Sequence, residues 1–379
     1  MTLGPGATLG LIGGGQLARM FALEARRMGF RTRVLDPDTH SPAAQVADTH
    51  VCAPLDDLAA AGELARACDV VTLEWENADV ATLRQVAEWV PVHPDPGVLE
   101  IAQHRVREKD TVRRLGIPTA EYRAVGTVED LRAALAEIGT PAVLKTARGG
   151  YDGRGQVVVR SVSEAEEAFR ALTPATEMVL EAFVPFQMEV SVICARNARG
   201  QVATFPIAQN AHVDGILDVT VAPARIANPL ERSAHEIGRA LAEGLEVTGL
   251  LAVEMFVTCD GQLLVNELAP RPHNSGHYTW EACAASQFEQ QLRAVCGLPL
   301  ASTELLRPAA MANLLGDKFR ADGSLPGTAR ALATPGVAMH LYGKRQPRPG
   351  RKMGHLTALA ATADQAEERV RSARNQLGE

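Results

Sequence analysis

Residues 143–156 read VLKTARGGYDGRGQ, a glycine-rich loop between two apolar strands. Four glycines within 149–155 allow backbone N–H groups to approach an anion closely, which larger residues would prevent. Lys145 and Arg154 add positive charge for phosphate oxygens. The loop is not a P-loop, because a strand follows it where the P-loop motif requires a helix. A flexible hairpin tip is the plain alternative, but the two flanking cations favour a phosphate-binding loop.

Two further apolar strands, 250–258 and 263–269, are joined by Cys-Asp-Gly-Gln. The Asp-Gly pair predicts a two-residue turn with positive φ at both positions. Counting outward from that turn, we expect Glu254 to lie directly opposite Glu267 on the neighbouring strand.

Phe256 and Val265 are expected as a second pair on the same face, which puts the two carboxylates in partly apolar surroundings. The Cβ atoms of Glu254 and Glu267 should be about 4.5–5.5 Å apart, where like charges repel. Burial beside a like charge is costly unless a cation compensates. Mg²⁺ held by carboxylates and nucleotide phosphates fits this pattern, with Asn266 as a further ligand. Two solvated glutamates on an edge hairpin are the alternative.

The first hundred residues alternate strand and helix, which predicts a parallel sheet with helices on its faces. A strand at 8–12 precedes a helix at 16–28, and another strand covers 70–75. The turn between the first strand and helix, Gly13-x-Gly15-x-x-Ala18 with Asp36 further on, also fits a dinucleotide-binding fingerprint. An NAD-dependent oxidoreductase is therefore a rival interpretation. The fingerprint is weak, because any turn that admits a ligand at a helix N-terminus looks similar.

A helical pattern over 101–115 ends at Gly-Ile-Pro, and a region of mixed strands follows. Two basic or polar segments come later. The first, 271–277, reads RPHNSGH, and its proline and glycine predict a loop suited to a phosphate or sugar better than to zinc. The second, 344–352, contains five cations among prolines and glycine, which indicates either a solvated basic loop or a site for an anionic substrate.

Composition excludes several classes of protein. The net charge of −7 over 379 residues argues against a general nucleic-acid binder. The six cysteines are scattered without a CxxC pair, which is typical of reduced thiols in a cytosolic protein. No segment approaches the roughly 20 apolar residues of a membrane helix, and the N-terminus lacks a signal peptide. We expect a cytoplasmic protein with neither membrane nor nucleic-acid partners.

Taken together, these segments resemble the N5-carboxyaminoimidazole ribonucleotide synthetase family of ATP-grasp enzymes over nearly the whole chain. The motifs that carry the resemblance are GGGQL at 13–17, EWEN at 74–77, GGYDGRGQ at 149–156, NELAPR at 266–271, HNSGH at 273–277 and RPGRK at 348–352. Trp75 stands where the family pattern has phenylalanine, a change that leaves the carboxylates of Glu74 and Glu76 usable.

The resemblance implies an α/β protein with an ATP-grasp fold and three domains, usually as a homodimer. These are a Rossmann-like domain at 1–104, an ATP-grasp domain at 105–300 with a glycine-rich lid at 146–156, and a small domain at 301–379. It also implies ATP- and bicarbonate-dependent carboxylation of 5-aminoimidazole ribonucleotide, with Mg²⁺, in de novo purine (IMP) biosynthesis. Bicarbonate would attack the γ-phosphate to give carboxyphosphate, and the amine would capture the carboxyl group directly or through released CO₂. A formate-using transformylase, a carboxylase-type subunit and a non-catalytic nucleotide sensor are the alternatives.

Site residues are implied by the same resemblance. The ATP-binding set is Arg105, Lys109, Lys145, Gly150, Tyr151, Asp152, Gly153, Arg154, Gly155, Gln156, Glu181, Ala182, Phe183, Val184, Glu189, His212, Asn266 and Glu267. The magnesium ligands are Glu254 and Glu267. Tyr151, Asp152 and Arg154 are the catalytic residues around bicarbonate and the amine, and Asp152 is the candidate for receiving the amine proton. The substrate-binding set is Gln16, Glu74, Asn77, Arg271, Asn274, Ser275, Lys344 and Arg351.

Overall fold

The N-terminal unit alternates strand and helix, as its sequence predicts. A computed structural model describes residues 2–150, 153–175 and 177–378. The first five strands form one parallel sheet in the order β3-β2-β1-β4-β5. Its elements are β1 (Thr8–Ile12), α1 (Gln16–Arg27), β2 (Arg31–Leu35), β3 (Thr49–Val51), α2 (Leu58–Arg66), β4 (Val70–Leu73), α3 (Val80–Ala87), β5 (Val92–His93) and α4 (Pro96–Ala102). Because β1 and β4 are neighbours and parallel, the residues that follow them share one edge of the sheet.

Two elements of this region differ from the sequence-based expectation. The strand predicted over 70–75 ends at Leu73, where the chain turns and the Glu74 side chain reaches the N-terminus of α1. The single helix predicted over 101–115 is two helices, α4 and α5 (Arg105–Arg114). They are separated because the backbone of His104 is extended, with φ −132°. The side chain of Gln103, the residue before it, donates to the carbonyls of Glu76 and Ala78.

A four-stranded antiparallel sheet follows, in the order β6-β9-β7-β8. Its elements are β6 (Tyr122–Val125), α6 (Val128–Ile138), β7 (Ala142–Thr146), β8 (Gln156–Val159), α7 (Ala165–Leu172) and β9 (Met178–Ala182). Leucines and alanines of α6 and α7 pack with the sheet into one apolar cluster. The loop of the β7–β8 hairpin is the predicted lid.

The rest of the chain forms a nine-stranded sheet, as far as the structure describes it, in the order β15-β14-β10-β12-β13-β16-β18-β17, with β11 paired to β10. Its elements are β10 (Phe186–Arg196), β11 (Val202–Thr204), β12 (Ala208–Val213), β13 (Ile216–Ala222), α8 (Asn228–Gly244), β14 (Gly249–Thr258), β15 (Leu263–Ala269), α9 (Thr279–Ala282), α10 (Gln287–Val295), β16 (Ala309–Leu315), α11 (Thr328–Leu332), β17 (Val337–Leu341), β18 (Lys352–Leu359) and α12 (Ala363–Asn375). The β13–β16 pairing joins the C-terminal strands to the central ones, so the sheet runs through the predicted domain boundary without a break.

The β14–β15 hairpin corrects one prediction. The two-residue turn is wrong: the backbone N–H of Thr258 donates to the Gln262 carbonyl at 2.9 Å, and of the two turn residues only Gly261 has a positive φ, 79°. The Thr258 hydroxyl supports this three-residue turn, since it accepts the Gln262 N–H at 2.9 Å. The strand pairs next to the turn are therefore shifted by one residue, and Phe256 faces Leu264 rather than Val265.

A β-bulge then restores the predicted pairing further along the hairpin. The register shifts between Glu254 and Met255, because Met255 pairs with Val265 and Glu254 with Glu267. Asn266 is the extra residue that this shift leaves without a partner across the hairpin. The predicted Glu254–Glu267 pair is thus confirmed.

Among the described residues, no helix has the length and apolar character that crossing a membrane requires. All six cysteines are free thiols, in agreement with the absence of a CxxC motif.

Candidate functional site

The glycine loop is built on the β7–β8 hairpin, in which Lys145 pairs with Gln156. Gly149, Gly153 and Gly155 have positive φ values of 75°, 74° and 73°, a backbone that L side chains rarely adopt. Gly150 is required for a different reason, because a Cβ there would lie 2.9 Å from the Arg154 carbonyl oxygen. Of the predicted loop residues, Tyr151 and Asp152 lie outside the described part of the chain.

Beneath the loop, two lysines share one buried carboxylate. Glu181 Oε2 lies 2.9 Å from Lys145 Nζ and 3.3 Å from Lys109 Nζ. Burial raises the pKa of Glu181, but the two ammonium groups outweigh it and hold that pKa below its ordinary value. Burial lowers the pKa of Lys109, and Lys145 lowers it further. Glu181 is the last buried residue of β9 before the segment 183–185 that connects to β10, so the lysine pair anchors the predicted adenine hinge, which includes Ala182, Phe183 and Val184.

Arg105 connects the loop to the predicted metal site. Its Nη2 donates to the Gly150 carbonyl at 3.2 Å, and its Nη1 lies 3.5 Å from Glu267 Oε2. The arginine is the first residue of α5, and the same helix places Glu108 behind Glu267. Glu108 Oε1 accepts the backbone N–H of Leu268 at 2.5 Å, while burial, together with the charge of Glu267, raises the pKa of Glu108 to about 8.

Glu254 lies in a group of possible metal ligands. One ligand atom each of Glu189, His212 and Glu254 lies within 4.8 Å of the others. His212 Nδ1 is 3.1 Å from Glu189 Oε2, and His273 Nε2 is 3.1 Å from Glu254 Oε1. Burial raises the pKa of Glu254, yet His273, His212 and Lys352 together hold it at about 2. The carboxylate is therefore ionised at neutral pH, and oxygen donors of this kind fit a hard divalent cation.

In the N-terminal unit, a side-chain carboxylate accepts hydrogen bonds from the N-terminus of α1. Glu74 accepts hydrogen bonds from the backbone N–H groups of Gly15 at 2.7 Å and Ala18 at 3.4 Å, and Asp36 accepts that of Gly14 at 2.7 Å. A phosphate bound here would meet two protein carboxylates, so the dinucleotide fingerprint of this turn does not form a pyrophosphate site. The oxidoreductase interpretation loses its only support. Burial raises the pKa of Glu74, while the positive charges of Lys344 and Arg271 oppose that rise.

Arg271 already has a partner within the protein. Its Nη2 donates to Glu76 Oε1 at 2.6 Å and its Nε to Glu76 Oε2, a bidentate pair. Burial lowers the pKa of Arg271, but Glu76 outweighs this effect and raises it. The predicted substrate residue Asn77 follows in the same exposed turn after β4. Gln16 begins α1, which follows the neighbouring parallel strand β1.

The loop 271–277 presents one side chain without a partner. Both polar atoms of the Asn274 amide, Oδ1 and Nδ2, are buried and have no hydrogen-bond partner among the residues that the structure describes. The hydroxyl of Ser275, in contrast, accepts from Ser191 at 2.8 Å and lies 2.9 Å from His273 Nδ1. Buried amide atoms are costly when unsatisfied, so Asn274 is the residue of this loop best suited to meet a polar ligand.

Gly343, the residue before the basic segment 344–352, contacts the N-terminal unit. Gln45 Nε2 donates to the Gly343 carbonyl at 2.8 Å, and Arg19 donates to Gln45 Oε1 at 3.0 Å. Arg351 Nη1 donates to the carbonyls of residues 345 and 346, which ties the loop to itself, although much of it is exposed to solvent. Lys344, the other predicted residue of this segment, contributes its charge to Glu74.

Three residues near these groups were absent from the predicted site: Glu108, His273 and Lys352. His273 belongs to a motif that the sequence did single out, and its contact with Glu254 assigns it to the site. Lys352 lies in the basic segment and its charge reaches Glu254. Only tertiary structure reveals Glu108, because its partner Leu268 is 160 residues away.

Comparisons with known proteins identify three matched regions. A family model described as an ATP-grasp domain matches residues 110–288, one described as a ribonucleotide synthetase preATP-grasp domain matches 6–103, and one described as a phosphoribosylaminoimidazole carboxylase C-terminal domain matches 309–369. The expected ATP-grasp fold, with an N-terminal α/β domain and a small C-terminal domain, is confirmed.

Full-length relatives agree. The N5-carboxyaminoimidazole ribonucleotide synthase of Bacillus subtilis is 44% identical, over 95% of this chain and 93% of its own, and that of Brucella melitensis is 46% identical, over 94% and 98%. A crystal structure of an N5-carboxyaminoimidazole ribonucleotide synthetase with ADP is 46% identical, with a TM-score of 0.93 and coverage of 98% and 97%. The Aspergillus clavatus synthase in complex with ADP and 5-aminoimidazole ribonucleotide is 34% identical, with a TM-score of 0.90 and coverage of 98% of each chain. This chain belongs to the N5-carboxyaminoimidazole ribonucleotide synthase family.

Proposed function

We propose that this chain is an ATP-dependent carbon–nitrogen ligase that carboxylates 5-aminoimidazole ribonucleotide at its amine, with bicarbonate as the carbon source, in de novo purine (IMP) biosynthesis. The products are N5-carboxyaminoimidazole ribonucleotide, ADP and phosphate. One observation carries the proposal beyond family membership. Arg105 touches both the glycine lid and Glu267, so the phosphate-binding loop and the carboxylate pair face the same space.

The chemistry begins with phosphoryl transfer. A bicarbonate oxygen attacks the γ-phosphorus of ATP, the bond to ADP breaks, and carboxyphosphate forms. Such a step requires charge neutralisation and in-line placement more than covalent assistance. Lys145 and Arg154 would supply positive charge, and Arg105 would hold the lid against the site. Because carboxyphosphate hydrolyses in open water, a lid that excludes water serves the reaction.

Carbon–nitrogen bond formation follows. The amine of the ribonucleotide attacks the carboxyl carbon, either in carboxyphosphate or in CO₂ released from it. The bond between that carbon's oxygen and phosphate breaks on either route as phosphate leaves, and the amine loses a proton. Asp152 would receive that proton, with Tyr151 and Arg154 around the bicarbonate.

We propose Glu254 and Glu267 as ligands of Mg²⁺, with Asn266 nearby on the bulge. The pairing of the two glutamates across the hairpin and the low pKa of Glu254 fit a hard cation. When bound, Mg²⁺ supplies charge neutralisation on the phosphate oxygens. Glu189 and His212, which lie beside Glu254, are proposed nucleotide contacts.

The ribonucleotide would bind between the N-terminal sheet edge and the two basic loops. We assign to it Gln16, Glu74, Asn77, Arg271, Asn274, Ser275, Lys344 and Arg351. The unsatisfied amide of Asn274 and the cation Lys344 near Glu74 are the features that support this placement.

Three further properties belong to the proposal. The domains are 1–104, 105–300 with the lid at 146–156, and 301–379. The protein works as a homodimer, as the family resemblance implies, and in the cytoplasm, a location that its free thiols favour.

Phosphate release from ATP tests the function. The purified protein would be assayed with Mg²⁺ and bicarbonate, with and without 5-aminoimidazole ribonucleotide, and with formate in place of bicarbonate. Release that increases with the ribonucleotide and depends on bicarbonate is the expected result. Stimulation by formate instead of bicarbonate would identify a transformylase. A protein that binds ADP but whose phosphate release is not stimulated by the ribonucleotide would contradict the proposed acceptor.

A further inference from the structure

Gln287 holds the backbone of the loop 271–277 at two points. It is the first residue of α10 and is fully buried. Its Oε1 accepts the backbone N–H of His273 at 2.9 Å, and its Nε2 donates to the carbonyl of the same residue at 2.8 Å. Nε2 also lies 3.1 Å from His277 Nδ1. One amide therefore fixes both ends of the HNSGH motif.

The loop is shaped to admit this amide. A Cβ on Gly276 would lie 2.5 Å from Gln287 Oε1, so a side chain at that position would have to displace the clamping amide. Thr279 closes the arrangement, because its hydroxyl donates to the Gly276 carbonyl at 2.6 Å and accepts the backbone N–H of Gln287 at 2.9 Å. Hydrogen bonds on several sides of a buried group leave the loop with little freedom.

We infer that Gln287 is a positioning residue for the ribonucleotide, an inference that rests on the proposed function. Both polar atoms of the Gln287 amide have protein partners, whereas the loop it fixes carries Arg271 and the unsatisfied amide of Asn274. The same clamp holds His273, whose imidazole lies 3.1 Å from Glu254. Loss of the clamp displaces the ligand-facing groups without removing any of them.

Helix α10 provides a matched control. Gln290, also fully buried, clamps a different loop in the same way: its Oε1 accepts the Ala301 N–H at 3.0 Å and its Nε2 donates to the Ala301 carbonyl at 2.8 Å. Gln287→Met and Gln290→Met therefore each remove a two-point clamp on one residue's backbone. Only the first clamp lies on the predicted substrate loop.

The experiment compares these two variants with the wild type in steady-state phosphate release. Gln287→Met should raise the KM for 5-aminoimidazole ribonucleotide by about tenfold or more, because a misplacement of about 1 Å is costly for a positioned group. The KM for ATP should rise less, because the clamp reaches the nucleotide site only through the contact of His273 with Glu254. Gln290→Met should leave both constants within about twofold. Equal ribonucleotide KM values for the two variants would overturn the inference.

Hydrogen–deuterium exchange supplies a readout that needs no substrate. Gln287→Met should speed exchange in the peptide 271–277, whose His273 amide loses its acceptor, and Gln290→Met in the peptide around residue 301. Gly276→Ala, which keeps Gln287 but crowds its amide, should reproduce the first pattern if Gln287→Met does not fold. If the wild type shows no ribonucleotide-stimulated release, the proposed function fails, while the clamp is still judged by exchange. Unchanged exchange in 271–277 would overturn it.

Discussion

Glu74 Oε1 accepts the backbone N–H of Gly15 at 2.7 Å, so the positive end of α1 is already neutralised by a carboxylate from the turn that follows strand β4. Glu74 leaves no room for a side chain at two glycines of this turn: a Cβ on Gly15 would overlap Glu74 Oε1, and one on Gly13 would lie 2.8 Å from Glu74 Cγ. The turn thus resembles a dinucleotide-binding motif in sequence, yet its donors serve a protein carboxylate.

Gly15→Ala tests this relationship. The added methyl must displace Glu74, so we expect the free energy of unfolding to fall by about 1–3 kcal/mol, the usual cost of overpacking. Phosphate release stimulated by the ribonucleotide should fall as well, because Glu74 is a proposed substrate contact. Chemical denaturation and the phosphate assay measure the two effects.

Gly4→Ala is the control for that substitution, because a Cβ at Gly4 would meet nothing within 4 Å. Its free energy of unfolding should remain within about 0.5 kcal/mol of the wild type. Equal stability of Gly15→Ala and Gly4→Ala would show that Glu74 does not occupy the turn as described.

The hairpin shows how far sequence reasoning reaches. The count that paired Glu254 with Glu267 assumed a two-residue turn and a regular ladder, and both assumptions are wrong. The three-residue turn shifts the register by one residue, and the bulge at Asn266 shifts it back. The prediction succeeded because the two deviations cancel, and alternation alone reveals neither of them.

Local patterns predicted the parallel N-terminal sheet and the glycine loop, since strand–helix alternation and glycine spacing are written along the chain. Contacts between distant residues were beyond such reasoning. Glu108 and Leu268 are 160 residues apart, and Gln287 looks like an ordinary first-turn residue of a helix until the loop is packed on it. A buried polar side chain is recognisable only when its partners are known.

The two lysines around Glu181 predict an order of stabilities. Glu181→Gln leaves Lys109 and Lys145 buried together without their shared carboxylate, and breaking such a group costs about 3–5 kcal/mol. Lys109→Met leaves a one-to-one pair of Glu181 with Lys145 and should cost less. Denaturant titration at neutral pH would rank the two variants, and a Lys109→Met protein less stable than Glu181→Gln would contradict the shared-carboxylate arrangement.

A cluster of buried imidazoles predicts how stability depends on pH. His355 stacks on His340 with centroids 4.6 Å apart and meets the tilted ring of His277 at 4.7 Å, and the Tyr342 hydroxyl lies 2.8 Å from His355 Nδ1. Burial lowers the pKa of His277 and of His355 well below the ordinary 6.5, and neighbouring imidazoles lower both further. The cations Lys352 and Arg271 also face His277, whereas the carboxylate of Glu281 contacts His340, at 2.6 Å.

The sign follows from proton uptake. Below pH 6.5 the unfolded chain binds protons at these two histidines that the folded chain does not, so the free energy of unfolding decreases as the pH falls. Each histidine contributes a slope of up to about 1.4 kcal/mol per pH unit. A Tyr342→Phe/His355→Phe double variant removes one titrating ring together with its hydroxyl partner. Denaturation measured between pH 5 and 6.5 should then show that unfolding takes up about one proton fewer, so that the free energy of unfolding depends less steeply on pH. An unchanged slope would mean that His355 is not held neutral.

The paired glutamates predict how nucleotide affinity depends on Mg²⁺. Glu254→Gln and Glu267→Gln remove one charge each from the proposed cation site, while the lysines beneath the lid remain. We therefore expect ADP to bind both variants without Mg²⁺ about as well as it binds the wild type. The gain in affinity on adding Mg²⁺ should fall by about tenfold or more, or about 1.4 kcal/mol. Isothermal titration calorimetry with and without the ion measures that gain directly, and Glu63→Gln on the exposed face of α2 is the control. A variant that keeps the full gain would remove its glutamate from the metal site. Equal loss of the gain in both variants would indicate that one ion is held by the two carboxylates that the bulge at Asn266 brings opposite each other.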